Sequence, residues 1–166
     1  MASNVTAGVK RMDSFCIDTA NEREIALAHA LHCQVVPNPW RFETFVDSTT
    51  TPYCLRVVRQ REKLIGYAIV LMVADEATLI DIGIHTAARG QQAGRRLLHD
   101  VINYCATHNM ATLWLEVRAS NHVAISLYTS SGFKLFETRK GYYPAADSSS
   151  SAEDALIMSC TLNPEN

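Results

Sequence analysis

Residues 88 to 98 read ARGQQAGRRLL, a turn of small residues and arginines that runs straight into a pair of leucines. A strand followed by such a turn and a helix leaves backbone N–H groups unpaired at the helix start. Those donors and the helix dipole attract an anion. Gly90, Ala93 and Gly94 would let a bulky ligand approach the backbone, and Arg89 and Arg95 carry charge suited to a diphosphate. No glycine is followed by Lys and Ser or Thr, so this is not a Walker loop, and the Rossmann glycine spacing is missing too. The residues alone leave open an ordinary strand-to-helix turn with solvated arginines. Two further side chains could do chemistry. Glu116 lies between Leu115 and Val117, and an unpaired carboxylate in so apolar a strand is costly to bury. It is either an outward-facing partner of Arg118 or a working group. Tyr128 is either a packing aromatic or a hydrogen donor. The six histidines show no HExxH spacing, and His29 and His32, three apart, lack a carboxylate-rich partner motif, so no metal is expected.

The elements that must carry these residues follow from periodicity. MDSFCID alternates as a short strand. NEREIALAHALHC has Ile25, Ala28, His29 and His32 at helical spacing, with Asn21 as N-cap. Pro37 and Pro39 end that region, and RFETFV is a second short helix. Trp40 is a core anchor or part of a substrate groove. YCLRVVRQ and KLIGYAIVLMVA form a hairpin around residues 60–62. ATLIDIGI, almost continuously apolar, reads as a central strand buried on both faces. The turn then opens a helix with the stripe Leu97, Leu98, Val101, Ile102 and Cys105. ATLWLEVRA is a strand. Asn121 caps HVAISLYTSSGF, whose stripe is Val123, Ile125 and Leu127 to Tyr128, and Gly132 ends it. KLFETRKGYY is a strand, DSSSSAED a polar loop and ALIMSCTL the last strand.

The expected fold is therefore α/β, a mixed and mostly antiparallel sheet of six to seven strands with one parallel β-α-β crossover and about four helices. Residues 1–11 read as a disordered leader, 12–162 as one domain and 163–166 as a tail. A chain of 166 residues buries a core without staples. Five cysteines, an odd number with no CxxC pair, suggest neither a disulfide framework nor a zinc site. The net charge of −2 gives no bulk reason to bind nucleic acid. The N-terminus has no apolar signal segment and no apolar run approaches ~18 residues, so a cytoplasmic, non-membrane protein is expected.

The pattern Arg89-Gly90-Gln91-Gln92-Ala93-Gly94 resembles the pyrophosphate-binding motif of the GNAT acetyltransferases. The stretch ATLWLEVRASNHVAISLYTSSGF, then RKGYYP and DALIM, resembles the RimI-type ribosomal-protein-alanine N-acetyltransferases, and PWRFETF fits their substrate-side helices. The resemblance spans about 12–162. It implies a GNAT fold, acetyl-CoA as cosubstrate without a metal, and acetyl transfer to the α-amine of an N-terminal alanine. The acceptor would be the N-terminal peptide of a small-subunit ribosomal protein, and the enzyme a monomer.

Carried onto this chain, the resemblance implies that backbone groups of Ile82, Gly83 and Ile84 pair with the pantetheine arm like an added strand. The N–H groups from Gly90 to Arg95 would hold the pyrophosphate, with Asn121 hydrogen-bonding the cosubstrate. Glu116 would be the general base, desolvated and so raised in pKa. Tyr128 would be the general acid near the sulfur, and Tyr142 and Tyr143 would line the peptide groove or simply pack the hairpin. Gln92 departs from the pattern, standing where the family has glycine. Two other readings stay open: an acetyltransferase of lysine or small amines, whose cosubstrate motif would be the same, and a non-catalytic acyl-CoA sensor.

Overall fold

The computed structural model describes residues 14–163. The leader at 1–11, the first two residues of MDSFCID and residues 164–166 lie outside the described residues. The elements are β1 (Phe15–Thr19), α1 (Glu22–Val35), α2 (Phe42–Asp47), β2 (Tyr53–Gln60), β3 (Lys63–Val73), β4 (Glu76–Ile84), α3 (Ala93–Thr107), β5 (Thr112–Arg118), α4 (His122–Ser130), β6 (Lys134–Tyr143) and β7 (Glu153–Thr161). They form one seven-stranded sheet in the order β1-β2-β3-β4-β5-β7-β6. Every pairing is antiparallel except β4 with β5, which α3 connects. This is the mixed, mostly antiparallel sheet with one parallel crossover expected from the sequence.

Local chemistry sets most boundaries. Asn21 caps α1 through a box in which its side chain accepts from Glu24 N–H and Glu24 reaches back to Asn21 N–H. Arg61 and Glu62 both take positive φ, so a two-residue turn closes β2 onto β3. The stripe of α3 is buried as its spacing requires, with Leu97, Leu98, Val101 and Cys105 fully enclosed against one face of the sheet. On that face Arg56 also makes a two-pronged ion pair with Asp100 of α3, at 2.8 and 2.9 Å. The other face carries α1 and α2, where Ala28, Leu31 and Phe45 pack on Leu55, Val57, Tyr67 and Ile69.

The stripe expected on α4 is corrected at its start. Val123 is 85% exposed and Tyr128 is the helix's buried residue. Ala124, Ile125 and Leu127 pack partly buried against the core, whereas Val123 borders the cavity described below.

Two features of β4 decide the rest. First, its register against β3 slips by one residue. Ile69 faces Asp81 while Val70 faces Leu79, and Ile80 is the extra residue of a bulge. Strict alternation would put Leu79 and Asp81 on one face. The bulge instead leaves Leu79 in the core under α3 and turns Asp81 to the α1 face beside Tyr67. Second, β4 pairs with β5 only from Glu76 to Leu79, against Thr112 to Leu115. Beyond the bulge the two strands part and form a fork.

Gly83 is required by the packing at that fork. A Cβ there would stand 2.7 Å from a ring carbon of Tyr67 and 2.9 Å from Val35 Cγ2. Gly83→Ala is expected to cost about 1–3 kcal/mol through overpacking. Urea unfolding would show a lower midpoint at an unchanged slope; an unmoved midpoint would contradict the close packing.

Candidate active site

A cavity of about 850 Å³ opens along the fork, within the usual size of ligand clefts. Its wall includes Ile82, Gly83 and Ile84, then Arg89, Gly90, Gln92, Ala93, Gly94 and Arg95, then Asn121 and Tyr128. The structure thus brings most of the residues singled out by the sequence to one place. The exceptions are Gln91 and Glu116, together with Trp40, Tyr142 and Tyr143, none of which lines the cavity. Gln91 faces a separate small depression with His85, and its side chain accepts from Gln60 Nε2 at 3.1 Å. It points away because the turn reverses at Gln92.

The backbone at the fork can be assigned donor by donor. His85 N–H donates to Ile65 O at 2.7 Å. By antiparallel alternation, the groups of Gly83 then also turn toward β3, and those of Ile82 and Ile84 face the open edge. So Gly83 contributes its missing side chain, not its N–H and C=O, which revises its expected role in pairing with a pantetheine arm. The open Ile84 carbonyl accepts from Arg89 Nε at 3.3 Å.

The start of α3 has the features of an anion site. The first intrahelical bond is from Arg96 N–H to Gln92 O at 3.0 Å, so the N–H groups of Ala93, Gly94 and Arg95 precede the ladder, and no side chain caps them. A Cβ at Gly90 would meet nothing within 4 Å, and one at Gly94 would stand 3.6 Å from Ile84. Arg95 is tethered toward the site by Gln92 Oε1 at 3.2 Å and Ser130 Oγ at 3.0 Å. Open donors, a backbone free of bulk and two arginines fit a pyrophosphate-bearing cosubstrate.

Gln92 adopts the left-handed conformation, φ 69° and ψ 10°. A side chain there costs roughly 1 kcal/mol relative to glycine, partly offset by the entropy a glycine adds to the unfolded chain. Gln92→Gly is therefore expected to raise stability by up to about 1 kcal/mol, with acetyl-CoA affinity equal or tighter by calorimetry. Weaker binding would make the glutamine a ligand.

Asn121 caps α4, its Oδ1 accepting from Ala124 N–H at 3.2 Å, so its NH₂ is the group it can present to the cavity. Tyr128 is buried, 7% exposed. Burial, reinforced by the charge of Asp81, pushes its phenol up to about 12.

Glu116 is not the desolvated carboxyl expected from its apolar strand. Leu113, Leu115 and Val117 point into the core, and alternation puts Glu116 on the other face, exposed. Arg118 is not its partner: that guanidinium pairs with Glu153 at 3.3 Å and stacks on Tyr143 at 3.9 Å. Instead Tyr143 donates its hydroxyl to Glu116 Oε1 at 2.6 Å. Partial burial, and after it that bond, push the Tyr143 phenol up, so it stays a donor. Glu116 Oε2 has no hydrogen-bond partner among the described residues. Cys105 on the inner side of α3 and Cys160 on β7 are buried, and burial raises both thiols, Cys105 to about 12. Neither is set up as a nucleophile.

Sequence reasoning gave no part in this site to three residues: Asp81, Tyr67 and His32, hydrogen-bonded to one another on the α1 face. The only signal was an aspartate inside the otherwise apolar ATLIDIGI. Among the described residues no three His, Cys, Asp or Glu side chains are grouped to hold a metal ion, and no helix is long and apolar enough to cross a membrane.

The chain is similar to known proteins in both sequence and fold. A family model described as the acetyltransferase (GNAT) family matches residues 22–133. The ribosomal protein bS18-alanine N-acetyltransferase of Escherichia coli (strain K12) is 35% identical over 147 residues, covering 89% of this chain and 97% of that protein. The crystal structure of the Escherichia coli ribosomal-protein-S18-alanine N-acetyltransferase superposes with a TM-score of 0.84 at 34% identity, over 92% of this chain and 97% of that one. A GNAT family acetyltransferase from Elizabethkingia anophelis with acetyl-CoA bound shares the fold, with a TM-score of 0.74 at 18% identity over 90% of this chain and 99% of that one.

Proposed function

This chain belongs to the acetyltransferase (GNAT) family and is an acetyl-CoA-dependent N-acetyltransferase, and from that premise we propose that its acceptor is the α-amine of an N-terminal alanine, on a small-subunit ribosomal protein in the cytoplasm. The observation that carries the mechanism is the fork. One cavity joins an uncapped helix start to a buried phenol and an open strand edge. Similarity to the S18-alanine enzymes over nine-tenths of the chain supports the choice of acceptor.

Acetyl-CoA supplies an acetyl thioester. In this reading Ala93, Gly94 and Arg95 N–H, with Arg89 and Arg95, hold its diphosphate, and Gly90, Gln92 and the Asn121 amide border it. Ile82 and Ile84 present open backbone groups to the pantetheine arm. Ile82 N–H is the donor suited to polarising an acyl oxygen at the strand edge.

Two proton movements remain. An N-terminal amine has a pKa of about 7.7–8.0 and is mostly protonated at pH 7, so it must lose a proton before it can attack. Glu116 accepts that proton at Oε2 while Tyr143 fixes Oε1. Tyr128 donates a hydrogen bond to the charge that develops at the leaving sulfur. Attack is direct, since neither buried thiol is activated.

The test is mass spectrometry of a peptide panel incubated with protein and acetyl-CoA. The peptides begin with Ala, Ser, Met or Gly, with matched peptides blocked at the N-terminus and bearing an internal lysine. Acetyl on free alanine termini is the expected result. Acetyl on lysine alone would overturn the acceptor class.

A further inference from the structure

The cavity wall contains a carboxyl that the scheme above leaves unused. The bulge at Ile80 turns Asp81 to the α1 face, where its side chain is 22% exposed and borders the same cavity as Tyr128. Asp81 Oδ2 accepts from the Tyr67 hydroxyl at 2.6 Å and from His32 Nδ1 at 2.9 Å. Tyr67 is wholly buried and His32 is 1% exposed. The Trp40 N–H donates to His32 Nε2 at 2.9 Å, so the proton of the neutral ring sits on Nδ1. Phe45 and Trp40 pack around that ring. With both nitrogens committed, His32 is a fixed donor and not a proton relay. Burial and the adjacent Asp81 charge push the Tyr67 phenol up, so it too stays a donor.

The result is a carboxylate with one oxygen saturated by two buried donors. The other oxygen, Oδ1, has no hydrogen-bond partner among the described residues, and no Lys or Arg among them pairs with Asp81. The groups facing it are Tyr67 from β3, His32 from α1 and Tyr128 from α4, none a resident cation. Half-burying a carboxylate costs desolvation free energy, and two neutral donors recover only part of it. A fixed anion turned into a cavity without a counter-charge is complementary to a cationic ligand.

We propose that Asp81 is the binding carboxylate for the acceptor's ammonium group, received at Oδ1 and oriented toward the fork, with His32 and Tyr67 as the residues that position it. The inference rests on the acetyl-transfer reading above and adds to it where the amine sits before it is deprotonated. Proton removal stays with Glu116. Val35, Val36 and Pro37 line the cavity as well, giving it an apolar wall for a short first side chain.

The experiment uses the CoA-bound protein and two peptides that differ only in the amine: one begins with alanine, the other with a propionyl group in its place. Calorimetry on the wild type is expected to show the amine-bearing peptide binding at least about 10-fold more tightly, the worth of a partly buried charge-assisted hydrogen bond. Asp81→Asn keeps the shape and can still accept from Tyr67. It should erase that preference, leave propionyl-peptide and CoA affinity within about twofold, and raise peptide KM more than it lowers kcat. A preference retained in Asp81→Asn, or none in the wild type, would overturn the proposal. Should Asp81→Asn fail to fold, Tyr67→Phe keeps the ring packing and removes one donor. Its preference should narrow about threefold, and an unchanged ratio in folded Tyr67→Phe would overturn the proposal equally. If the wild type acetylates only lysine, the same comparison with lysine and norleucine peptides still tests Asp81, so the two ideas fail separately.

Discussion

Glu116→Gln is expected to lower kcat on an alanine-first peptide by about 10²- to 10⁴-fold, the range for losing a general base, with acetyl-CoA affinity unchanged within about twofold. Glutamine retains an amide oxygen that can accept from Tyr143, so the side chain keeps its place and loses only its ability to take a proton. The variant then depends on amine that is already neutral. Its residual rate should climb about tenfold per pH unit until the amine pKa near 8 is passed. Calorimetry gives the cosubstrate affinity, and chromatographic product assays from pH 6 to 9 give the rate. Full activity at neutral pH would remove Glu116 as base and move attention to Asp81, the carboxyl that lines the cavity. The exposure of Glu116 suits the proposed role, because a proton taken up there can pass to solvent between turnovers.

Tyr128→Phe is expected to lower kcat by about 10²-fold, with peptide KM and acetyl-CoA affinity nearly unchanged. The size follows from what this phenol can do. Its pKa is pushed up to about 12, first by burial and then by the Asp81 charge. An ordinary thiol sits near 8.5, so complete proton transfer from Tyr128 to a thiolate would be uphill by ~5 kcal/mol. A hydrogen bond that strengthens as negative charge develops on sulfur has no such penalty. It is worth more in a buried site than in water. Losing it raises the barrier and leaves ground-state binding alone. A rate unchanged in Tyr128→Phe would reduce this residue to packing against Phe133, with which its ring is in contact at 5.7 Å. A large rise in acetyl-CoA dissociation constant would make it a binding group.

Periodicity carried the elements a long way. The α3 stripe, the α1 capping box, the β2–β3 hairpin and the central position of β4 were all legible, because each depends on neighbours within about four residues or on unbroken apolar content. The uncapped start of α3 was legible for the same reason. A helix start needs only local backbone to leave its N–H groups open. Val123 was misplaced because a nine-residue helix lying at the edge of a sheet has too few turns for spacing to say which side is covered.

The family, the crossover and the uncapped start of α3 were all readable from short contiguous stretches, because each depends on residues close together in the chain. Where the carboxyls face, and which donors meet them, is visible only in the folded chain. Alternation in β5 turns Glu116 out of the core, and its partner Tyr143 comes from another strand 27 residues away. One extra residue in β4 sends Asp81 to the opposite face from Leu79 and onto Tyr67 and His32, 14 and 49 residues distant in the chain. A bulge has no signature in hydrophobic period, because it is set by how two strands register against each other. Where a titratable group ends up facing, and which donors meet it there, is a long-range packing outcome that no local spacing encodes.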